Sequence, residues 1–270
     1  MSTSTDWIKF HKNLYSHAEL GLYLDFSDMG ASATELQSLH QKVQDALFDM
    51  DALEKGSISN PDEDRQVGHY WLRNPELSPT PNIKLLIEDT IRDIKIFAFD
   101  ILNGRLRNPG GQAFTHLLLI GIGGSALGPQ FIYEALGLKK GLKTYFLDNT
   151  DPDGIDRTLD KLSNSISQTL VIVISKSGGT AETRNGMLET QAIFKKHDLD
   201  FAKQAVAITG EGSQLYNLSK AEKWLSVFPM WDWVGGRTSV MSAVGLLPAA
   251  LMDIDIETFL AGARLMDEAT

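Results

Sequence analysis

Apolar positions along this chain keep two rhythms, and the change between them falls near His116. Ahead of it the spacing is helical. From Ala33 to Leu53, the residues Leu36, Leu39, Val43, Ala46 and Leu47 recur at three- and four-residue steps, which predicts one amphipathic helix whose apolar face packs inward. A polar, turn-rich stretch runs from Glu54 to Arg65, followed by the segment His69 to Asn74. A second helical pattern, opened by Pro81, extends from Ile83 to about Leu102. These helices are expected to cover a sheet formed later in the chain. Asn103 to Gln112, with Gly104, Pro109, Gly110 and Gly111, reads as a connector.

Beyond His116, short apolar runs alternate with helical patterns. The runs are Leu117 to Ile122, Thr144 to Leu147, Leu170 to Ile174, Ala205 to Ile208 and Trp224 to Phe228. Between them lie Ala126 to Leu136, Ile155 to Leu162, Thr180 to His197 and a short helical turn near Ser213 to Leu218. Continuously apolar strands suit a parallel sheet buried on both faces, so the pattern predicts a doubly wound α/β unit with ligands at the C-terminal ends of its strands. A helix follows from Val240 to Leu251, and another begins at Ile256 and reaches Thr270 without a convincing C-cap, so the chain is expected to be cut there. No internal repeat or low-complexity tract occurs.

With 270 residues, 43% of them hydrophobic, the chain can bury a sizeable core. It has no cysteine, which excludes disulfides and thiolate metal sites. Neither a secretory leader nor an apolar run approaching about 18 residues is evident, so a soluble, cytoplasmic protein is expected. The net charge of −10 argues against nucleic acid and anionic membrane as partners, because both need a basic surface. It leaves room for a small anion, which answers to the few charges lining its own pocket.

Three loops carry the candidate chemistry. Ser175-Lys176-Ser177-Gly178-Gly179-Thr180 joins the third apolar run to a helix. Backbone N–H groups and the positive end of the helix dipole favour an anion there, Ser175, Ser177 and Thr180 add hydroxyls, and Lys176 adds charge. An ordinary cap needs only one hydroxyl. Glu182, in the first turn of that helix, suits the dipole or the pocket equally. Gly121-Ile122-Gly123-Gly124-Ser125-Ala126 ends the first run and matches a relaxed dinucleotide fingerprint, with Asp148 near the place of the ribose-binding acid. It serves a sugar-phosphate pocket as well, and both readings stand. Asn149 and Asp151 either shape a pocket or cap the helix begun near Pro152. The third loop is Trp231-Asp232-Trp233-Val234-Gly235-Gly236-Arg237-Thr238-Ser239. An arginine in a first helical turn sits against the dipole unless it turns to solvent or meets an anion, where it would steady negative charge on a substrate oxygen. Neither glycine loop ends in the Gly-Lys-Ser/Thr of a phosphate-loop nucleotidase, no Gly-x-Ser-x-Gly elbow occurs, and the six histidines show no metal-ligand spacing.

Taken together, Ile120 to Pro129, Ser175 to Thr183 and Gly235 to Ser239, with Val67 to Asn74 ahead of them, resemble the glucose-6-phosphate isomerase (phosphoglucose isomerase) family of the bacterial or cyanobacterial kind, in order and spacing, over essentially the whole chain. The resemblance implies a three-layer sugar-isomerase domain at residues 106–250, an N-terminal helical segment at 1–105 packing on it, and the start of a second lobe at 251–270. It implies hexose phosphate as ligand, with Gly124, Ser125, Ser175, Lys176, Ser177 and Thr180 binding it and Gly123, Glu182 and Gly236 nearby. Arg237 would steady the cis-enediolate as glucose 6-phosphate and fructose 6-phosphate interconvert in glycolysis and gluconeogenesis, without metal or cofactor. Family members are about twice as long and dimeric, and their catalytic glutamate, ring-opening histidine and C-terminal lysine lie beyond the point matching Thr270. The expectation is therefore an N-terminal portion that turns over nothing alone and a homodimer at full length. A non-enzymatic sugar-phosphate module and an NAD-dependent oxidoreductase remain as alternatives.

Overall fold

The computed structural model describes residues 3–137 and 141–270. Residues Met1–Ala52 with Ala261–Thr270 cluster as one unit and Leu53–Leu260 as another. The first begins with α1 (Thr3–Lys12) and an antiparallel hairpin, β1 (Leu14–His17) and β2 (Leu22–Asp25), so the N-terminal stretch is less helical than its pattern suggests. The helix expected from Ala33 is two, α2 (Ala33–Ser38) and α3 (His40–Glu54). The Ser38 hydroxyl donates to the Glu35 carbonyl and the Leu39 N–H bonds back to Leu36, tightening the chain for one turn. The inward-packing expectation is also corrected: Leu36, Leu39, Val43 and Leu47 are 41–54% exposed. Amphipathic spacing records that a face can be buried, and among the described residues these four side chains stay about half exposed.

The second unit opens with another hairpin, β3 (Ile58–Asn60) and β4 (Arg65–Gln66), where the sequence reads as a polar, turn-rich stretch. Helix α4 (Pro81–Leu102) is started by Thr80, whose hydroxyl accepts from the Ile83 N–H, and by proline at its first position. Its buried face runs through Ile87, Thr90, Ile94, Ala98 and Ile101. The remainder alternates: β5 (His116–Ile120), α5 (Gly124–Leu136), β6 (Lys143–Leu147), α6 (Pro152–Leu162), β7 (Thr169–Ile174), α7 (Ala181–Lys196), β8 (Ala205–Thr209), α8 (Gln214–Ala221), β9 (Ser226–Pro229), α9 (Ala243–Leu251) and α10 (Ile256–Ala269). The five strands form one parallel sheet in the order β6-β5-β7-β8-β9, as the alternation requires.

Successive residues of a strand point to opposite faces, and here both faces are core. Leu117 and Leu119 of β5 join Ile94, Ile132 and Leu247 from α4, α5 and α9, whereas Leu118 and Ile120 join Leu159, Phe194 and Leu215 from α6, α7 and α8. All six residues of β7 are buried. Each such aliphatic side chain contributes about 1.5–3 kcal/mol by leaving water, more than an exposed ion pair such as Lys95–Glu257, worth about 0–1 kcal/mol. The last strand starts later than its apolar run. Lys223 takes a left-handed turn at φ 58°, the Trp224 N–H closes α8 on the Ser219 carbonyl, and the Trp224 ring meets Phe201 before the strand begins.

On the first of these faces α5 lies directly against a 3-10 turn, Gly236–Met241, that leads into α9. A Cβ on Gly124 would overlap the Gly236 carbonyl oxygen, and one on Gly128 would lie 3.2 Å from Val240. Gly124→Ala is expected to cost about 1–3 kcal/mol, as overpacking does. Gly236→Ala, whose Cβ would meet nothing within 4 Å, should stay within about 0.5 kcal/mol. Equal melting temperatures for the two variants would remove this contact from the account.

At the other end of β5, His116 pairs in register with Lys143 and stacks on Tyr145 at 6.0 Å. Burial and then the Lys143 charge hold its imidazole below the usual histidine value. The folded state thus disfavours the imidazolium, so this contribution to stability is whole above about pH 6.5 and is lost as pH falls from there through the folded value. Chemical denaturation between pH 8 and 5 should show the native chain losing stability below about pH 6.5 more steeply than His116→Gln; parallel curves would reject the assignment.

Candidate functional site

The strand order fixes where a ligand can sit. From β5 the chain passes to β6 on one side and returns to β7 on the other, so the loops leaving the carboxyl ends of β5 and β7 diverge and open a crevice. Those loops are the glycine turn 121–125 and the hydroxyl turn 175–180.

The hydroxyl turn is held from below. Ser175 is buried, its hydroxyl donating to Thr180 Oγ1 at 3.4 Å and accepting from the Gly178 N–H at 3.1 Å, so it shapes the turn rather than facing solvent. Gly178 adopts φ 72° against the backbone of Leu215, where only glycine fits. The Thr209 hydroxyl donates to the Ser175 carbonyl at 2.6 Å, and the Gly210 N–H donates to the Lys176 carbonyl at 3.0 Å, fastening this turn to the one after β8. Ser177 is exposed, accepting at its hydroxyl from the Gly179 N–H at 3.1 Å, and Thr180 is half-buried at the N-cap of α7 with no capping bond from its side chain. The first-turn N–H groups of α7 therefore have no cap from this residue. Glu182 occupies that first turn, half-buried.

The glycine turn begins α5 two residues earlier than its apolar pattern does. Gly123 is the N-cap at φ 57°, and the Ser125 and Ala126 N–H groups fold back to the Ile122 and Gly123 carbonyls at 3.1 and 3.0 Å. Ser125 is half-buried, packed where Gly121 lacks a side chain. Gly124 carries this turn to the arginine loop through Gly236, and the Ser239 hydroxyl reaches from the Gly236 carbonyl at 2.7 Å toward the Gly124 carbonyl at 3.5 Å.

The third loop is gripped from both sides. Trp231 and Trp233 stack at 4.8 Å and 9°, Trp233 meets the fully buried Trp71 at 5.4 Å, and the Gly68 N–H donates to the Trp233 carbonyl at 2.8 Å. From the hydroxyl turn, the Lys176 ammonium reaches the Asp232 carboxylate at 3.2 Å and the Asp232 and Val234 carbonyls at 3.2 and 3.5 Å. Arg237 does not start α9. It lies in the 3-10 turn, exposed, and no ion pair joins it to a carboxylate among the described residues. The three loops are thus contiguous, Lys176 touching the third and Gly124 touching its far end, while no bond links Arg237 directly to Ser177 or Thr180.

A cleft of about 560 Å³ collects Lys176, Ser177 and Thr180 with Arg65, Glu211 and Asp232. The last three were not singled out in the sequence. Asp232 lies inside a motif whose glycines and arginine draw attention first, and Arg65 arrives from a hairpin distant in sequence. Asp148 accepts from Gln130 at 2.7 Å, Asn149 from the Asp151 N–H at 3.1 Å, and Asp151 from the Gly154 N–H at 3.0 Å, so the latter two settle as turn and cap. A larger cavity of about 650 Å³ lies at the opposite end of the sheet beside Thr115 and Leu142, away from every motif. Among the described residues no cluster of three or more histidines and carboxylates could hold a metal, and no helix is long and apolar enough to cross a membrane.

Comparison with known proteins agrees with this architecture. The family model for phosphoglucose isomerase matches residues 25–269. The glucose-6-phosphate isomerase of Trichormus variabilis is 53% identical over all of this chain and 51% of its own length. The chloroplastic glucose-6-phosphate isomerase 1 of Arabidopsis thaliana is 54% identical over 98% of the chain and 44% of its own length. A crystal structure of a glucose-6-phosphate isomerase from Chlamydia trachomatis superposes with a TM-score of 0.82 at 26% identity, covering 97% of this chain and 50% of that one. The chain spans about half the length of the curated relatives it matches. A match running through all three loops and the parallel sheet that positions them places this chain in the phosphoglucose isomerase family.

Proposed function

We propose that this chain supplies the sugar-phosphate-gripping part of a glucose-6-phosphate isomerase, with residues 106–250 as its sugar-isomerase domain. The observation that carries the reading is a cleft that gathers the exposed Ser177, Thr180 at a helix N-terminus its side chain does not cap, and Lys176 held to the Trp231–Asp232 end of the loop that carries Arg237. Ser177 and Thr180, with the first-turn N–H groups of α7, hold the phosphate, Ser175 braces them, and Lys176 adds charge. Gly123, Gly124 and Ser125 line the sugar, Gly236 allows its close approach, and Glu182 borders the pocket. Arg237 stabilises the negative charge that develops on the sugar oxygens of a cis-enediolate.

Isomerisation also needs a base beside the migrating proton. Family resemblance assigns that glutamate to sequence following the half matched here, so the 270-residue chain alone is expected to bind hexose phosphate without converting it. The dinucleotide reading is disfavoured by the Gly236 carbonyl oxygen seated against the first residue of α5, which opposes a pyrophosphate at that helix end. The relatives carry the name glucose-6-phosphate isomerase, which favours this reading over a ligand-binding module, and a homodimer is the assembly expected of the whole protein.

Titration calorimetry should give heat with fructose 6-phosphate and none with NAD. Hydrogen bonds to a charged group are worth about 1.5–3 kcal/mol, so Ser177→Ala and Thr180→Ala should each weaken binding about tenfold or more. Heat with NAD alone would replace this reading with the oxidoreductase. Steady interconversion of the two hexose phosphates by the purified chain would overturn the assignment of the base.

A further inference from the structure

Lys176 is the residue in the hydroxyl turn with the most charge to offer a phosphate, yet its donors point elsewhere. An ammonium has three N–H groups. In this structure three acceptors surround it, all on the loop after β9: the Asp232 carbonyl at 3.2 Å, Asp232 Oδ1 at 3.2 Å and the Val234 carbonyl at 3.5 Å. The same carboxylate oxygen lies 3.8 Å from Arg65 Nη2, whose Nη1 is bound to Glu63 at 3.1 Å. One oxygen atom therefore joins β4, the hydroxyl turn and the arginine loop.

We propose that Asp232 is a positioning residue: by holding Lys176, with Arg65 on the same oxygen, it ties the phosphate-gripping turn to the loop carrying Arg237 and sets the spacing between them. This rests on the sugar-phosphate reading of the site. The spacing matters because a sugar phosphate must be met at both ends at once, by the hydroxyl turn at its phosphate and by Arg237 at its far oxygens, whereas inorganic phosphate needs only the turn.

A bystander role for Asp232 makes the opposite forecast. Arg65 and Lys176 are opposed by Asp232 and Glu211 in the cleft and by Glu63 beside Arg65, so losing the Asp232 charge makes the cleft less acidic and strengthens the pull on any phosphate. The pair is also too exposed, with the Asp232 side chain 73% accessible, for its loss to unfold the protein.

The test compares affinities for fructose 6-phosphate and inorganic phosphate in the native chain, Asp232→Asn, Lys176→Met and the double variant. Asp232→Asn should bind inorganic phosphate as well as the native chain or better, while its preference for fructose 6-phosphate over inorganic phosphate falls about tenfold. In the Lys176→Met background the Asp232 change should lower that preference no further, and Lys176→Arg should restore most of it. The near-UV circular dichroism of the stacked Trp231 and Trp233 should shift in Asp232→Asn without any ligand. An unchanged or larger preference for fructose 6-phosphate over inorganic phosphate in Asp232→Asn, or losses of that preference that multiply in the double variant, would overturn the proposal. A native chain that binds neither ligand defeats the sugar-phosphate reading, and an unchanged tryptophan spectrum in Asp232→Asn defeats the tie itself, so the two failures are told apart.

Discussion

Two stretches of backbone meet where no side chain fits, Gly124 at the start of α5 and the carbonyl of Gly236 in the 3-10 turn before α9. Most of the site's geometry descends from that approach. The parallel sheet places the ends of β5 and β7 beside each other for any chain with this strand order, but β9 is the far edge strand, three places from β5. Its loop reaches the crevice by returning across the sheet's end, and it can come close only because glycine faces it. A methyl group at Gly124 would push the arginine loop outward and widen the gap that any ligand must span.

Electrostatics then work locally. The chain carries a formal charge of −10, and the cleft's two cations are offset by Glu211 and Asp232. Under the proposed reading an incoming dianion would find little net attraction there and would rely on oriented dipoles: the first-turn N–H groups of α7 and the hydroxyls of Ser177 and Thr180. Such groups act at hydrogen-bond distance and are fixed by Thr209, Gly210 and Leu215 beneath the turn, which costs the ligand little reorganisation. An acidic protein can in this way hold an anion at one point while repelling polyanions over its surface.

The sheet was legible because its strands are apolar on both faces; Leu117 to Ile120 can satisfy neighbours only in a three-layer arrangement. The loops were legible because glycines and hydroxyls cluster within a few residues. What local pattern does not carry is the partner across space. Arg65 reads as part of a polar turn and becomes a cleft residue only when β3 and β4 pair and the Trp71 region docks on the Trp233 loop. The stripe from Leu36 to Leu47 shows an apolar face and says nothing of its cover. The N-terminal hairpin was missed because strands of four residues present too few positions to break the helical rhythm around them.

Arg237 resolves an apparent conflict. Placed in the first turn of an α-helix, its charge would oppose the dipole. The chain avoids this by inserting the 3-10 turn Gly236–Met241 and starting α9 afresh at Ala243, with the Ser242 hydroxyl accepting from the Val244 N–H at 3.3 Å. The positive end of α9 is thus capped by a neutral group in a buried position, and the arginine stands six residues upstream of the helix start on an exposed turn. A guanidinium there meets neither the cost of burial nor repulsion from the helix dipole. Among the described residues no carboxylate pairs with it, so under the proposed reading a substrate oxygen would have no ion pair to break first.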